Sequence, residues 1–414
     1  MRSIVAFPFF IAVLSQTVIA AGTLSVQEAV RRGLSAHPQV QAANAMIQAA
    51  EGERLSALSP ESPTISVEYE GIPGGEGLSQ YSERRVTVSQ GFEFPLRYIW
   101  HASASRSGVD RSRQEALGAL LDLEALIRNA FTEAWAMDEK VGILKENVEA
   151  ARITTSQLER LVELGERAPL EARHVKVDYL QAKANLDAAL GDQIALRSRL
   201  GHLIGTPIDK TTLEVPLFAK ASESSANPEI VAAVERVDKS EAELRLAKTA
   251  WLPELEFSYF HQKQRMAIDP LFWGVEVGFS VPLWFWLGGR GEIGTASAER
   301  RASVAELANL LIETASEVDR LTQIIKTLEA QRQIYDGEVV PASKETYELA
   351  VRSYQMGEAN YLQVLDAQRS ALEIELEFVE IESQLAVSIT KLDRLSGQTI
   401  VGLEELENLL NGGK

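Results

Sequence analysis

The sequence predicts a mainly α-helical protein with a small β part, built as two repeats of helix, β-hairpin, long helix and second helix. Three observations carry this reading. Short motifs recur at a nearly constant offset through the chain. Two pairs of segments alternate apolar and polar residues with period two. After each pair, apolar residues recur every seventh position for many turns.

The repeat sets the organisation. His37-Pro38-Gln39-Val40 returns as Asn227-Pro228-Glu229-Ile230, and the segment opening at Pro63 returns at Pro253, both at an offset of 190. Phe92-Glu93-Phe94-Pro95-Leu96 is answered by Phe279-Ser280-Val281-Pro282-Leu283, Gly165-Glu166 by Gly357-Glu358, and Leu203–Gly205 by Leu395–Gly397. The drop in offset from 190 to 187 falls in the hairpin loop, Gly71 to Glu83 in the first copy, where length change is tolerated, and the later matches stand at 192. The boundaries expected from this are a first repeat at 23–205, a polar linker at 206–226, a second repeat at 227–397 and a tail at 398–414.

Within each copy the elements follow from pattern and punctuation. Ser25 with Glu28 three residues on has capping-box spacing, so a helix starts there, and Pro38 breaks it before about Leu58. Strands are expected at about 64–70 and 85–94, then at 254–260 and 273–281. Ile65, Val67, Tyr69, Val86 and Val88 fall on one side, and Leu255, Phe257, Tyr259, Trp273, Val275, Val277 and Phe279 repeat that side in the second copy. Glycine and glutamate occupy the other side, which suits a wet lumen better than a protein core. An amphipathic hairpin lying on a soluble core is the plainer alternative. Pro63, Pro95, Pro253 and Pro282 stand where strands hand over to helices.

The long helix is marked by heptads. Leu120, Ile127, Ala134, Val141 and Val148 form one seam position, and Leu123, Ala130, Met137, Leu144, Ala151 and Leu158 the other. Leu311, Val318, Ile325, Leu321 and Leu328 repeat the pattern. From about Ser103 to Leu164 the rod is roughly 90 Å long at about 1.5 Å per residue. Breakers at 165–169 and 357–360 turn each rod back into a second helix.

Composition limits function. The chain has 414 residues, no Cys and a formal net charge of −18, which argues against nucleic acid or an anionic lipid surface as partner. Residues 1–22 carry Arg2, an apolar run from Ile4 to Leu14 and small residues at Ala20, Ala21 and Gly22, the pattern of a cleaved export signal. That run is shorter than the roughly 20 residues a spanning anchor needs. With no cysteine, N-terminal lipidation is not expected. Any bilayer crossing would be made by strands. One chain offers four strands, a membrane barrel needs at least about eight, and three copies would supply twelve. Tyr98, Trp100, Trp251, Trp284 and Trp286 cluster at the proline bends as an aromatic girdle would.

The signal pattern, the two repeats and the tip sequence Tyr354-x-x-Gly357-x-x-x-x-Leu362-x-Val364-Leu365-Asp366 resemble the TolC family of outer-membrane efflux ducts, over essentially the whole chain after 22. The resemblance implies a homotrimer with a twelve-stranded outer-membrane barrel, a long α-helical periplasmic barrel below it, and docking to a periplasmic adaptor and an inner-membrane RND-type pump. Short hairpin loops and acidity look most like the cation-efflux branch, whose pumps expel divalent metals. The family closes its tunnel with acidic side chains after the second tip. That role maps here to Asp366, with Gln363 where another acid stands, Ala359 replacing a basic residue, and His174 at the first-repeat position equivalent to Asp366. Tyr354 and Glu358 are expected to support the gate, and Gly165, Glu166, Gly357 and Glu358 to form the adaptor-docking tips. Glu68, Glu93, Glu254, Glu256 and Glu276 would make the barrel lumen acidic.

Rival functions fit less well. No phosphate-binding glycine loop, nucleophile elbow or metal-ligand spacing argues for an enzyme, a cofactor or a bound metal. His37, His101, His174, His202 and His261 are scattered through different elements. A soluble periplasmic coiled-coil adaptor would not need two lipid-patterned strand pairs. A duct for drugs, other organic solutes or a secreted polypeptide keeps the architecture and changes only the cargo.

Overall fold

A computed structural model describes residues 22–165, 168–209, 211–216, 223–224, 226–265, 271–282 and 285–410. The export-signal expectation therefore falls almost wholly outside the described residues. Helices α1 (Val26–Ala36) and α2 (Pro38–Ala57) are separated at His37, and the Ser25 hydroxyl accepts the Glu28 N–H at 3.3 Å to cap the first. Strands β1 (Thr64–Glu70) and β2 (Glu83–Phe92) follow, then α3 (Pro95–Glu163) and α4 (Pro169–Ile204). The second copy runs α5 (Pro228–Lys248), β3 (Glu254–Gln264), β4 (Leu271–Ser280), α6 (Phe285–Ile334), α7 (Val340–Gln355) and α8 (Tyr361–Leu395), with a closing α9 at Leu403–Leu410.

Several bounds differ from the sequence expectation. β2 lies two residues earlier than 85–94, because Pro95 takes the first helical position and Phe94 becomes its cap. The rod of α3 therefore reaches 69 residues, about 100 Å at 1.5 Å per residue. β3 and β4 extend past the expected 254–260 and 273–281 toward their loop, to Gln264 and from Leu271. The second rod is interrupted by a π-turn at Tyr335–Val339, which the heptads did not reveal. Pro341 has no N–H to give and its ring crowds the carbonyl four residues back, at Gly337, so the ladder widens there.

The four long strands form one antiparallel sheet in chain order β1-β2-β3-β4. The helices beside them keep the same order: α2 packs on α3, α3 on α5, and α5 on α6. Each helix continues the strand it joins, so lateral order set in the sheet is carried into the rods. Farther down, α4 packs on α3, α3 on α8, and α8 on α6 and α7.

The main core lies at mid-height. Leu120, Leu123, Ile127, Ala130, Phe131 and Ala134 of α3 are fully enclosed by α1, by the end of α4 and by the segments expected as linker and tail. Those segments do more than connect. Thr212–Leu213 pairs in parallel with Thr23–Leu24, Glu223–Ser224 pairs with Gln398–Thr399, and Ile208, Leu213, Ile400 and Leu406 are buried.

Two polar anchors fix this belt. Arg197 of α4 grips Asp138 of α3 through two nitrogens at 2.5 and 2.9 Å, and its third donates to the Ile208 and Thr211 carbonyls at 2.9 and 3.0 Å. In the second, Glu124 accepts the Thr399 hydroxyl at 2.5 Å and the Ile400 N–H at 3.0 Å, while Arg128 donates to Asp393 at 2.8 Å. Glu124, Arg128, Asp393 and Thr399 are all buried. Two carboxylates share one guanidinium, and burial pushes both Glu124 and Asp393 above the usual carboxylate range.

For a carboxyl raised in the folded state, the stabilising contribution is full below its unfolded value, near 4.5 for Glu124, and is lost as pH rises through the folded value. The unfolding-temperature difference between the parent and Glu124→Gln should therefore move against the parent on going from pH 5 to pH 8; an unchanged difference would refute the upward shift of the Glu124 carboxyl. Arg128→Met should cost about 3–5 kcal/mol at neutral pH, since it leaves two buried carboxylates without a counter-charge.

Candidate functional site: a two-faced sheet and paired helical tips

Register assigns every strand residue to a face. Ile65 sits opposite Val88, Val88 opposite Tyr259, and Tyr259 opposite Val275, so these rows share one side. That side is apolar and bare in the protomer: Ile65 and Trp273 are each 70% exposed and Phe279 69%. A bare apolar sheet of this extent marks a surface meant for lipid or a partner. The second side carries Glu68, Glu254, Glu256 and Glu276. Glu93 lies one residue past β2, where Arg97 and His101 meet its carboxylate at 3.6 and 3.3 Å, so it belongs to the strand–helix junction.

The polar side also contains a packed layer that the alternation rule did not foresee. Phe260 breaks the polar pattern of β3, and its ring lies over Gly274 on β4, where an added Cβ would come within 2.4 Å of the ring. Arg85 stacks on the same ring at 5.1 Å and donates to the Gln262 amide oxygen at 3.0 and 3.3 Å. Gln262 and Gln264 in turn both donate to Glu83 at 2.7 Å. Glycine at 274 is thus the complement of an aromatic ring laid flat against the sheet.

Both outer strands keep a free edge, since β1 pairs with β2 alone and β4 with β3 alone among the described residues. Of the expected girdle, Tyr98 and Trp251 are exposed near the strand–helix bends, and the Tyr98 hydroxyl donates to the Leu58 carbonyl at 3.2 Å. Trp100 is half-buried under the Arg245 guanidinium at 4.7 Å. Trp284 and the side chain of Trp286 lie outside the described residues.

At the far end the two tips are built alike. Gly165 and Gly357 both adopt φ +79°, the left-handed conformation that ends a helix. Leu158, Val175 and Tyr361 form a small core joining the two hairpins, with Tyr354 and Leu365 packed on it. The Tyr354 and Tyr361 rings meet edge to face at 6.3 Å. Arg369 of α8 reaches Asp178 of α4 at 2.9 Å, a further tie between the hairpins.

The gate candidates fall into two groups. Gln363 is occupied locally: Asn360 accepts its N–H, and its side-chain oxygen accepts the Asn360 N–H, both at 3.0 Å, a complete capping box. Asp366, one turn on, is exposed, as are Glu358 and His174. Glu166 lies outside the described residues. His37 caps α2 through Nδ1, and the five histidines do not converge. Among the described residues no group of three or more His, Cys, Asp or Glu is arranged to hold a metal, and no helix is long and apolar enough to cross a membrane.

A sheet apolar on one side, polar on the other and open at both edges, grown on long paired rods, defines the class of outer-membrane channel subunits. The chain belongs to the outer membrane efflux protein family, whose profile matches it twice, over residues 29–206 and 222–398. It is 22% identical over 403 residues to the cobalt-zinc-cadmium resistance protein CzcC of Cupriavidus metallidurans, covering 92% of this chain and 91% of that protein. It is 24% identical over 400 residues to the pyoverdine export outer membrane protein OpmQ of Pseudomonas putida, covering 86% and 82%. Its fold matches the outer membrane protein VceC of Vibrio cholerae with a TM-score of 0.76 at 18% identity, over 91% of this chain and 96% of that one.

Because the Phe260 ring fills the space above Gly274, Gly274→Val should lower the unfolding midpoint in detergent, by the equivalent of about 1–3 kcal/mol. Adding Phe260→Ala should return part of that loss. A Gly274→Val protein as stable as the parent would show that the ring does not need the glycine.

Proposed function

We propose that three copies of this chain form the outer-membrane duct of a tripartite efflux system in a Gram-negative cell. Each protomer contributes a four-stranded arc, three arcs close a twelve-stranded barrel, and the rods continue it as a tube into the periplasm. The paired tips at Gly165 and Gly357 dock a periplasmic adaptor fed by an inner-membrane RND-type pump. The observation that carries this reading is the sheet: one lipid-suited face, one acidic face and, among the described residues, two unpaired edges on a single chain. The cargo proposed is divalent metal cations, supported by the likeness to CzcC and by the run of Glu68, Glu254, Glu256 and Glu276 along the polar face. A duct for organic solutes is the second reading, supported by the comparable likeness to OpmQ. Deleting the gene should sensitise its host to divalent metals on the first reading, and to organic toxicants alone on the second.

Asp366 is proposed as the resting constriction. Threefold assembly would bring three α8 helices around one axis, and three exposed carboxylates in a narrow neck need bound cations or donors to coexist. In planar bilayers the parent should conduct cations in preference to anions, with a small basal conductance. Asp366→Ala should raise that conductance several-fold without loss of assembly. A reversal potential favouring anions would refute the acidic lumen, and an Asp366→Ala conductance equal to the parent's would place the constriction elsewhere.

A further inference from the structure

The two rods of the chain differ by one residue. In α3 the seam residues Ala130, Met137, Leu144, Ala151 and Leu158 follow at sevens, without a break, in a helix of 69 residues. In the second copy Leu321, Leu328 and Tyr335 also stand seven apart, but the next buried residue of that rod is Ser343, eight on. Leu321 answers Ala130 at 321 − 130 = 191, Ser343 answers Ala151 at 343 − 151 = 192, and all four are buried. The extra residue is taken up by the π-turn at Tyr335–Val339. In an unbroken α-helix it would swing everything below by about 100° and carry Ser343 off the seam.

The same segment is thinly held. Pro341 offers no N–H to the Asp336 or Gly337 carbonyls, a side chain at Gly337 would meet open space, and residues 336–338 are exposed. Above the turn, Tyr335 packs on a core of Leu328, Ile381 and Leu385. The next core below is the one at the tips, around Leu158, Val175 and Tyr361. Between them, among the described residues, α7 buries Ser343 alone. An ion pair ties the rod to α8 on each side of the turn: Arg332 meets Glu382 at 2.9 Å above it, and Lys344 meets Glu375 at 2.6 Å below. The Lys344 side chain is 58% exposed, so the lower tie holds weakly against water. Short π-segments recur at working sites, and stretches with few buried contacts are the first to open.

We infer that the π-turn is a joint, present in the second rod and missing from the first. α8 runs past it unbroken, so the motion it permits is α7 turning on α8, carrying Tyr354 and Gly357 at the tip, while α3 moves as one stiff rod. The inference rests on the duct reading, because it gives that motion the work of changing the width of the path.

Full-length protein in mild detergent would be compared by hydrogen exchange with a variant that combines deletion of Gly337 with Pro341→Ala. There Ser343 falls seven after Tyr335 (343 − 335 − 1 = 7) and the helix can run unbroken. Parent amides at 335–345 should exchange at least about tenfold faster than those at 144–153 of α3, and in the variant the two should match. In planar bilayers bathed in potassium chloride, the parent should step between a small and a larger conductance. A second variant pair keeps the test open if the deletion does not assemble. Lys344→Cys with Glu375→Cys, bridged by a short bis-methanethiosulfonate, should freeze these steps, and a reductant should restore them. The same bridge between Arg332→Cys and Glu382→Cys, above the turn, should leave them running. The chain has no cysteine of its own, so only the placed thiols react. Equal exchange in the two parent rods, a parent with one unchanging conductance, steps that survive the lower bridge, or steps stopped by the upper one overturn the joint and leave the duct standing. A parent that passes no ions overturns the duct reading itself.

Discussion

A strand placed in hydrocarbon must give its backbone N–H and C=O groups to a neighbouring strand, because no water is present to take them. In this protein that requirement is unmet in the single chain. Among the described residues β1 and β4 each offer one unpaired edge, and the side chains beside those edges, Ile65 and Val67 on one and Val275 and Val277 on the other, are apolar and bare. The sheet of one chain therefore ends in two edges of like, apolar chemistry. The same lateral order passes from strands to helices, so closing the sheet would also close the ring of rods below it.

An arc of this size has to be held to a fixed curvature, and its apolar core alone sits far from the sheet. The buried belt at mid-height supplies the constraint. Glu124 and Arg128 on α3 hold Asp393 at the end of α8 and the Thr399–Ile400 segment, while Asp138 and Arg197 hold α3, α4 and the segment between the repeats. Both anchors join parts of the chain that are distant in sequence. Half-repeats that could otherwise slide as rods are thereby locked at one height, and the strands above inherit that alignment.

Much of this was legible in the sequence, for identifiable reasons. The strand faces follow from period-two alternation around Val67 and Val275, the helix break follows from Pro38, and the tips follow from Gly165 and Gly357, each a local signal with one geometric meaning. The seam residues Leu120, Ile127 and Ala134 are buried as heptads require, whereas Leu311 in the second copy stays exposed. What escaped was non-local or contrary to pattern. Glu124 reads as one more surface acid on a charged helix until Thr399 and Asp393 are brought against it. Phe260 contradicts the alternation of β3, and only pairing with Gly274 explains it. The role of Gln363 was legible in part, since Asn360 three residues earlier has capping-box spacing. Pro341 and Gly337 carried the signal for the π-turn, which the heptad count passed over.

The closing of one arc by others is the claim on which the path for solute, the gate and the lipid-facing side all depend. Multi-angle light scattering of the full-length protein in mild detergent measures it directly. The account predicts a single particle of three chains, each at most 45.5 kDa, that persists on dilution. A stable particle containing one chain would contradict it, because four strands with open edges cannot line a channel through a bilayer.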